Sequence, residues 1–278
     1  MNQVDLHMHS TASDGVLRPA EVVRLAHTRG LKTIALTDHD TTDGLREAIE
    51  TGQAVGMEVI GGLEINSETD IGHMDFLAYG CDIANTTFQE QLLEIRDARV
   101  GRAKGMVKKL AELGVPVAWE RVLFFAGDAQ SIARPHVARA LVEAGHVASI
   151  KEAFDKYLED GGPAYVHRLE LKPKEVIDVI HQAGGVIVLA HPGHAHTTHL
   201  VPLLASLGLD GVEVYYFDHS DEQKAELLAL AEQYGLIVTG GSDFHGDATH
   251  AELGSVPVPD DVVVRLKARL ASRQTHSA

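Results

Sequence analysis

Nine residues in this chain have the types and positions to hold metal ions: His7, His9, Asp14, His39, Glu64, His73, His191, Asp243 and His245. Most of them stand at or just past the end of a short apolar stretch. His7-Met8-His9 follows Val4-Asp5-Leu6, and His39 follows Thr33-Ile34-Ala35-Leu36. Glu64 ends the run from Met57 to Ile65. His191 follows Val186 to Ala190, and Asp243 and His245 follow Leu236 to Thr239. In extended backbone, residues i and i+2 point to the same side, so His7 and His9 can reach one ion. Imidazole and carboxylate ligands without thiolate suit Mn²⁺, Zn²⁺ or Fe²⁺. Nine ligands exceed what one ion takes at four to six coordination. Two or three ions are therefore expected, with a carboxylate such as Glu64 bridging. Multinuclear sites of this composition activate water and clamp phosphoryl oxygens.

The elements that must position these residues alternate between strand and helix. Each apolar run reads as a buried parallel strand. Helices are expected from Pro19 to Arg29, from about Asp43 to Ala54, from Pro173 to Ala183 and from about Asp221 to Tyr234. Parallel α/β folds gather their sites at the C-terminal ends of strands, where most of the nine stand. Residues 88–161 break the pattern and carry helical periodicity alone. They include a long basic helix from Gln91 to Leu113, whose charged face reads as solvated. The expected division is a barrel from residues 1–87 and 162–278, with 88–161 a helical insertion that forms a substrate lid over the mouth.

Composition narrows the function. The chain has 278 residues, 24 Lys and Arg against 40 Asp and Glu, and a net charge of −16. That balance argues against gripping duplex DNA, since such proteins need a basic face. The single cysteine, Cys81, excludes a disulfide framework or a Cys-based zinc site and reads as packing. No stretch approaches the length of a membrane span, and Met1 to Asp5 shows no signal-peptide pattern. A soluble cytoplasmic protein is the expectation.

The motifs resemble those of the PHP (polymerase and histidinol phosphatase) superfamily. Val4-Asp5-Leu6-His7-Met8-His9-Ser10 with Asp14-Gly15, and Ala35-Leu36-Thr37-Asp38-His39-Asp40, are similar to its first two motifs. Ala190-His191-Pro192 and Gly241-Ser242-Asp243-Phe244-His245 are similar to later ones. The resemblance implies a distorted (β/α)₇ barrel with a small helical insertion, and a trinuclear site. On it, His7, His9, Glu64 and Asp243 would hold the first metal. Glu64, His73 and His191 would hold the second, and Asp14, His39 and His245 the third. Position 14 is Asp where some members carry His, a change that bears on metal preference. Mn²⁺ is the first expectation, with Zn²⁺ or Fe²⁺ as alternatives.

The insertion, through Ile132-Ala133-Arg134-Pro135-His136 and Gly162-Pro163-Ala164-Tyr165-Val166, resembles the TrpH-like branch of that superfamily. This branch includes 3′,5′-nucleoside bisphosphate phosphatases. The implied activity is removal of the 3′-phosphate from bisphosphonucleotides such as pAp, giving AMP, through a metal-bound hydroxide. The alternatives are 5′→3′ hydrolysis of short RNA and a non-catalytic metal or nucleotide sensor. A full ligand set argues against the sensor. Arg134 and His136, at a helix N-terminus, are candidates to grip the phosphate away from the metals. Tyr165 and His167 are candidates to stack on a base or bind phosphate. His194 is a candidate to face substrate, and Glu213 and His219 lie near a further strand end.

Overall fold

The computed structural model describes residues 3–69, 72–127, 132–166, 171–247 and 250–274. Seven strands make one sheet in chain order: β1 (Val4–Asp5), β2 (Thr33–Leu36), β3 (Glu58–Thr69), β4 (Gly72–Tyr79), β5 (Val186–Leu189), β6 (Gly211–Tyr215) and β7 (Ile237–Gly240). All neighbours are parallel except β4, which runs antiparallel to β3 and to β5. The sheet curls until its last strand meets its first. Leu6 N–H donates to the Gly240 carbonyl at 3.1 Å, and Met8 bridges Phe244. The result is a distorted, nearly closed (β/α)₇ barrel. Every residue of β2, β5 and β7 is buried, because the barrel interior lies on one face and helices on the other.

Helices α1 (Pro19–Thr28) and α2 (Leu45–Val55) cover the first strands. The start of α1 is set by local chemistry. Pro19 occupies the first turn, where no N–H is needed, and the Glu21 carboxylate accepts from Arg18 N–H at 2.8 Å. Four helices then follow without strands: α3 (Thr86–Glu112), α4 (Trp119–Ala126), α5 (Arg134–Glu143) and α6 (Ile150–Ala153), the last running into a π-helical turn, Phe154–Leu158. The barrel is completed by α7 (Pro173–Gln182), α8 (Val201–Leu207), α9 (Asp221–Tyr234) and α10 (Asp261–Gln274). Lys172-Pro173-Lys174-Glu175 starts α7 as Arg18 to Glu21 start α1.

The 27-residue α3 spans about 40 Å and serves two cores. Phe88, Leu92 and Ile95 pack into the barrel core with Phe76, Val176 and Ile180. Ala103, Met106 and Leu110 belong to a second core with Val122, Val137, Leu141 and Leu158. The helix is continuous through residue 88, and its packing partners change between Ile95 and Ala103. Among the described residues, no helix is long and apolar enough to cross a membrane.

The reversal of β4 matters for the site. An antiparallel strand starts where its neighbours end, so His73 and Asp75 reach the same barrel mouth as Glu64 and His191.

Candidate metal centre

At that mouth, His7 and His9 aim Nε2 at the same two carboxylates. Their Nε2 atoms lie 3.2 and 3.1 Å from Glu64 Oε2 and 3.2 Å each from Asp243 Oδ1. A second group shares His9. It adds Asp14, His39 and His245, with Asp14 Oδ1 3.4 Å from His245 Nε2 and Asp14 Oδ2 3.8 Å from His39 Nε2. A third group is Glu64, Asp75 and His191, in which Glu64 Oε1 lies 3.2 Å from His191 Nε2. Within each group the possible ligand atoms lie within 4.8 Å of one another. Glu64 presents one oxygen to the first group and one to the third.

The backbone turns sharply to achieve this. Asp40, His191, His196 and Asp243 are non-glycine residues with positive φ, and all lie at this end of the barrel. Such conformations cost about 1–3 kcal/mol each and persist where surroundings over-determine them. The tight passage of the last loop over β1 explains Gly241: a Cβ there would meet His7 N at 2.4 Å.

Buried carboxylates hold the ligand-bearing loops. Asp38 accepts from Ser10 N–H, Ser10 Oγ and Ser13 Oγ, each at 2.7 Å, which folds the loop so that Asp14 returns to the mouth. Asp5 accepts from Ser242 N–H at 2.9 Å and Ser242 Oγ at 2.6 Å, fixing the turn before Asp243. Glu213 is fully buried; it lies 3.1 Å from His7 Nδ1 and accepts from His191 N–H at 2.8 Å. The carboxylate of Glu213 can only accept, so His7 donates through Nδ1 and turns Nε2 toward Glu64 and Asp243. Tyr216 Oη donates to Asp243 Oδ2 at 3.1 Å. A buried relay reaches in from α3: Arg99 donates to Asp40 and Asn66, and Asn66 donates to Asp75.

Burial opposes charge throughout this centre, yet the groups are driven toward their charged forms by one another. Asp243, Glu213 and Glu64 push His7 well above the ordinary histidine range despite burial. His9 is raised to about 10 and His191 to about 9, each against burial, by the neighbouring carboxylates. Burial also opposes ionisation of Asp14, Glu64 and Asp243, but the imidazoles hold all three well below the carboxylate range. His39 is the exception, since burial lowers it more than Asp14 raises it.

The donor set fits divalent metal. Neither ring nitrogen of fully buried His9 makes a hydrogen bond, although Nε2 sits 3.1 Å from a carboxylate oxygen. Imidazole nitrogens and carboxylate oxygens that converge within 4.8 Å of one another match coordination of a shared cation.

Eight of the nine residues named from sequence fall in these groups. His73 stands apart, with Nε2 3.5 Å from Asp75 Oδ1, and Asp75 takes the place given to it beside Glu64 and His191. Asp75 was missed, although His73-Met74-Asp75 repeats the spacing of His7-Met8-His9. His250 was also missed; its ring stacks on His245 with centroids 3.9 Å apart, and it groups with Asp243 and His245.

The substrate candidates scatter. Arg134 lines the main cavity and pairs with Asp160 Oδ1 at 2.6 Å. His136 is not available to a ligand: it is 1% exposed, and its Nδ1 accepts from Ala133 N–H at 3.0 Å, closing the first turn of α5. Tyr165 likewise is buried in the second core, with the Arg102 guanidinium 5.1 Å from its ring centroid. His194 is exposed, its Nδ1 2.8 Å from Asp218 Oδ2. His167 lies outside the described residues. His219 is buried and its Nε2 accepts from Gly193 N–H at 3.1 Å, so it supports the loop after His191.

A cavity of about 530 Å³ opens over the centre. Its floor includes Asp14, His39, Glu64, His191, Asp243 and His245. Its roof comes from α3, α5 and α6 with their adjoining turn and carries Arg99, Arg102, Arg134, Arg139 and Lys151. Anionic ligands and a cationic roof face each other across a volume typical of small-molecule sites.

Comparison with known proteins agrees with this centre. The PHP domain family profile matches residues 5–98. The 5′-3′ exoribonuclease Rnm of Salmonella typhimurium is 35% identical over 257 residues, covering 90% of this chain and 87% of that protein. The 3′,5′-nucleoside bisphosphate phosphatase of Chromobacterium violaceum is 33% identical over 250 residues, covering 88% of each. A crystal structure described as a metal-dependent phosphoesterase from Bifidobacterium adolescentis superposes with a TM-score of 0.89 at 33% identity, covering 96% of each chain.

Proposed function

Since the chain belongs to the PHP family and is a metal-dependent phosphoesterase, we propose that it cleaves the 3′-phosphate from 3′,5′-bisphosphonucleotides such as pAp, giving the 5′-monophosphate. The observation that carries this reading is the two-sided cavity, with the ligand groups below and Arg102, Arg134, Arg139 and Lys151 above. A bisphosphonucleotide has one phosphate to react and one to anchor. His7, His9, Glu64 and Asp243, then His9, Asp14, His39 and His245, then Glu64, Asp75 and His191, would hold up to three divalent ions, Mn²⁺ in the first instance. When bound, such ions acidify water and neutralise phosphoryl oxygens.

The chain's own residues do the rest. Glu213 holds His7, and Asp38 and Asp5 hold the loops that carry Asp14 and Asp243. The cationic roof binds the spectator phosphate, with Arg134 exchanging Asp160 for it; an Arg–phosphate bond is charge-assisted and bidentate. The helices of residues 88–161 act as the lid that orients the nucleotide and limits water. The reaction joins a water oxygen to phosphorus and breaks the P–O3′ bond, and one water proton ends on the 3′ oxygen.

A second reading has its own support. The relative from Salmonella typhimurium is named an exoribonuclease at slightly higher identity. A 5′-phosphorylated RNA carries the same P–O3′ bond, with a further nucleoside on the phosphate. The test is product release from pAp, a simple phosphomonoester and a short 5′-phosphorylated RNA, each with Mn²⁺. The proposal expects AMP and phosphate from pAp at the highest kcat/KM. Turnover of RNA alone would replace it with the second reading, and preference for the simple monoester would refute both.

A further inference from the structure

The metal centre is the wall between two cavities, and the two differ in charge. The one described above is roofed by Arg99, Arg102, Arg134, Arg139 and Lys151. The second measures about 510 Å³ and shares His73, Asp75, His191, Asp243 and His250 with it. Six histidines and three aspartates line this second cavity, and its described lining residues include no Lys or Arg. Three exposed histidines, His194, His196 and His199, lie on the segment after His191 and belong to none of the ligand groups. His194 Nδ1 lies 2.8 Å from Asp218 Oδ2, and His199 Nδ1 lies 3.1 Å from the His196 carbonyl oxygen. Carboxylate and carbonyl oxygens only accept, so each ring donates through Nδ1 and, when neutral, keeps its Nε2 lone pair. Histidines that ligate metal are characteristically held this way. The ring centroid of His194 lies 6.1 Å from that of His191, so it stands one side chain away from the third ligand group.

We propose that the second cavity is the route by which divalent transition-metal ions enter and leave the centre, with His194 and His199 as transient ligands on the way. This rests on the metal centre proposed above and concerns how that centre is filled. His7, His9, Glu64 and Asp243 are all buried, so an ion reaches them only through a cavity. In the first cavity a dication would meet five cationic side chains, a roof that suits an anionic substrate and repels the ion. In the second it would meet carboxylates and imidazoles. Asp160 there is paired with Arg134 at 2.6 Å, so the attraction comes from Asp75, Asp243 and the histidines. A cleft lined by one sign of charge raises the arrival rate of the opposite charge by about 10–10³-fold. Neutral imidazole is the commonest protein ligand for such ions, and it can replace hydration waters before the ion passes to His191. Ion and substrate then use opposite sides of the same wall.

The test follows metal and not turnover. Co²⁺ is the probe, because its visible absorption changes when imidazole and carboxylate replace water around it. Wild type is compared with the double variant His194→Gln/His199→Gln, which removes the transient ligands, and with Ala195→Phe, which narrows the cavity. None of these residues belongs to a ligand group. Two rates are measured on the full chain: loading of chelator-stripped protein, and release from loaded protein into excess chelator. Equilibrium titration gives the affinity. A residue on the route alters the barrier and not the end state. Both rates should therefore slow by the same factor, about fivefold or more, while affinity stays within about threefold of wild type. The proposal is overturned if either variant loads and releases Co²⁺ at wild-type rates, or if affinity falls while the loading rate holds. Should Ala195→Phe misfold, the double variant on the exposed segment decides alone. If wild type binds less than one Co²⁺ per chain, the metal centre itself fails instead.

Discussion

Glu213→Gln is the most informative single change, because it preserves shape and alters one proton. Glu213 offers one oxygen to His191 N–H at 2.8 Å and lies 3.1 Å from His7 Nδ1. The backbone N–H can only donate, so in the variant it claims the amide oxygen. The amide NH₂ then faces His7 Nδ1 and forces that nitrogen to accept. The ring proton moves to Nε2, the atom that lies 3.2 Å from both Glu64 and Asp243. A protonated Nε2 cannot ligate. Changes to such orienting partners typically cost 10–100-fold in metal affinity or activity, about 1.4–2.7 kcal/mol. Metal affinity is read by competition with a chelating indicator, and kcat/KM with pAp. Both should fall together while the thermal midpoint moves by only a few degrees. Glu213→Ala should differ by destabilising the fold, since it leaves two buried donors unpaired at about 1–3 kcal/mol each. Wild-type metal affinity in Glu213→Gln would refute the reasoning.

Arg134→Ala should lower kcat/KM on a bisphosphonucleotide by roughly 10–150-fold and leave a simple monophosphate nearly unchanged, by kinetics on both substrates. Asp210 is fully buried and accepts from Arg269 at 3.0 Å, Arg273 at 2.6 Å and Ile187 N–H at 3.1 Å, with His181 Nε2 2.9 Å away, which ties α10 to the barrel. Asp210→Ala should destabilise by about 3 kcal/mol in urea melts, because it strands those donors. Burial pushes His136 down to about 4. Its folded pKa lies below the unfolded value of about 6.5, so its contribution is full above that value and is lost as pH falls toward 4. Wild type should therefore lose about 2 kcal/mol more than His136→Asn between pH 7 and pH 5, measured by urea melts at each pH.

What could be read from sequence follows from how local each signal is. His7-Met8-His9 and Asp243-Phe244-His245 are doublets that sit directly after buried apolar runs, so spacing alone brings both side chains to one place. Asp75 was hidden because strand direction is not local. Only when β4 is seen to run against β3 and β5 does the beginning of that strand become part of the mouth. Glu213 lies within a strand and gains its role from His7, 206 residues away. The burial of His136 depends on how α5 packs into the second core, which helix periodicity does not specify. The helix read from Gln91 to Leu113 is present within α3, but its division between two cores was out of reach, since each half satisfies helical periodicity whatever it packs against.

The central claim is that the clustered histidines and carboxylates form a multinuclear metal centre that hydrolyses phosphoesters. Its most direct test is metal content against turnover of pAp in the same samples, stripped with chelator and then titrated with Mn²⁺. Turnover should be absent in the stripped protein and rise with bound metal, saturating above one equivalent per chain. Saturation of binding below one equivalent, or turnover in the stripped protein, would contradict it.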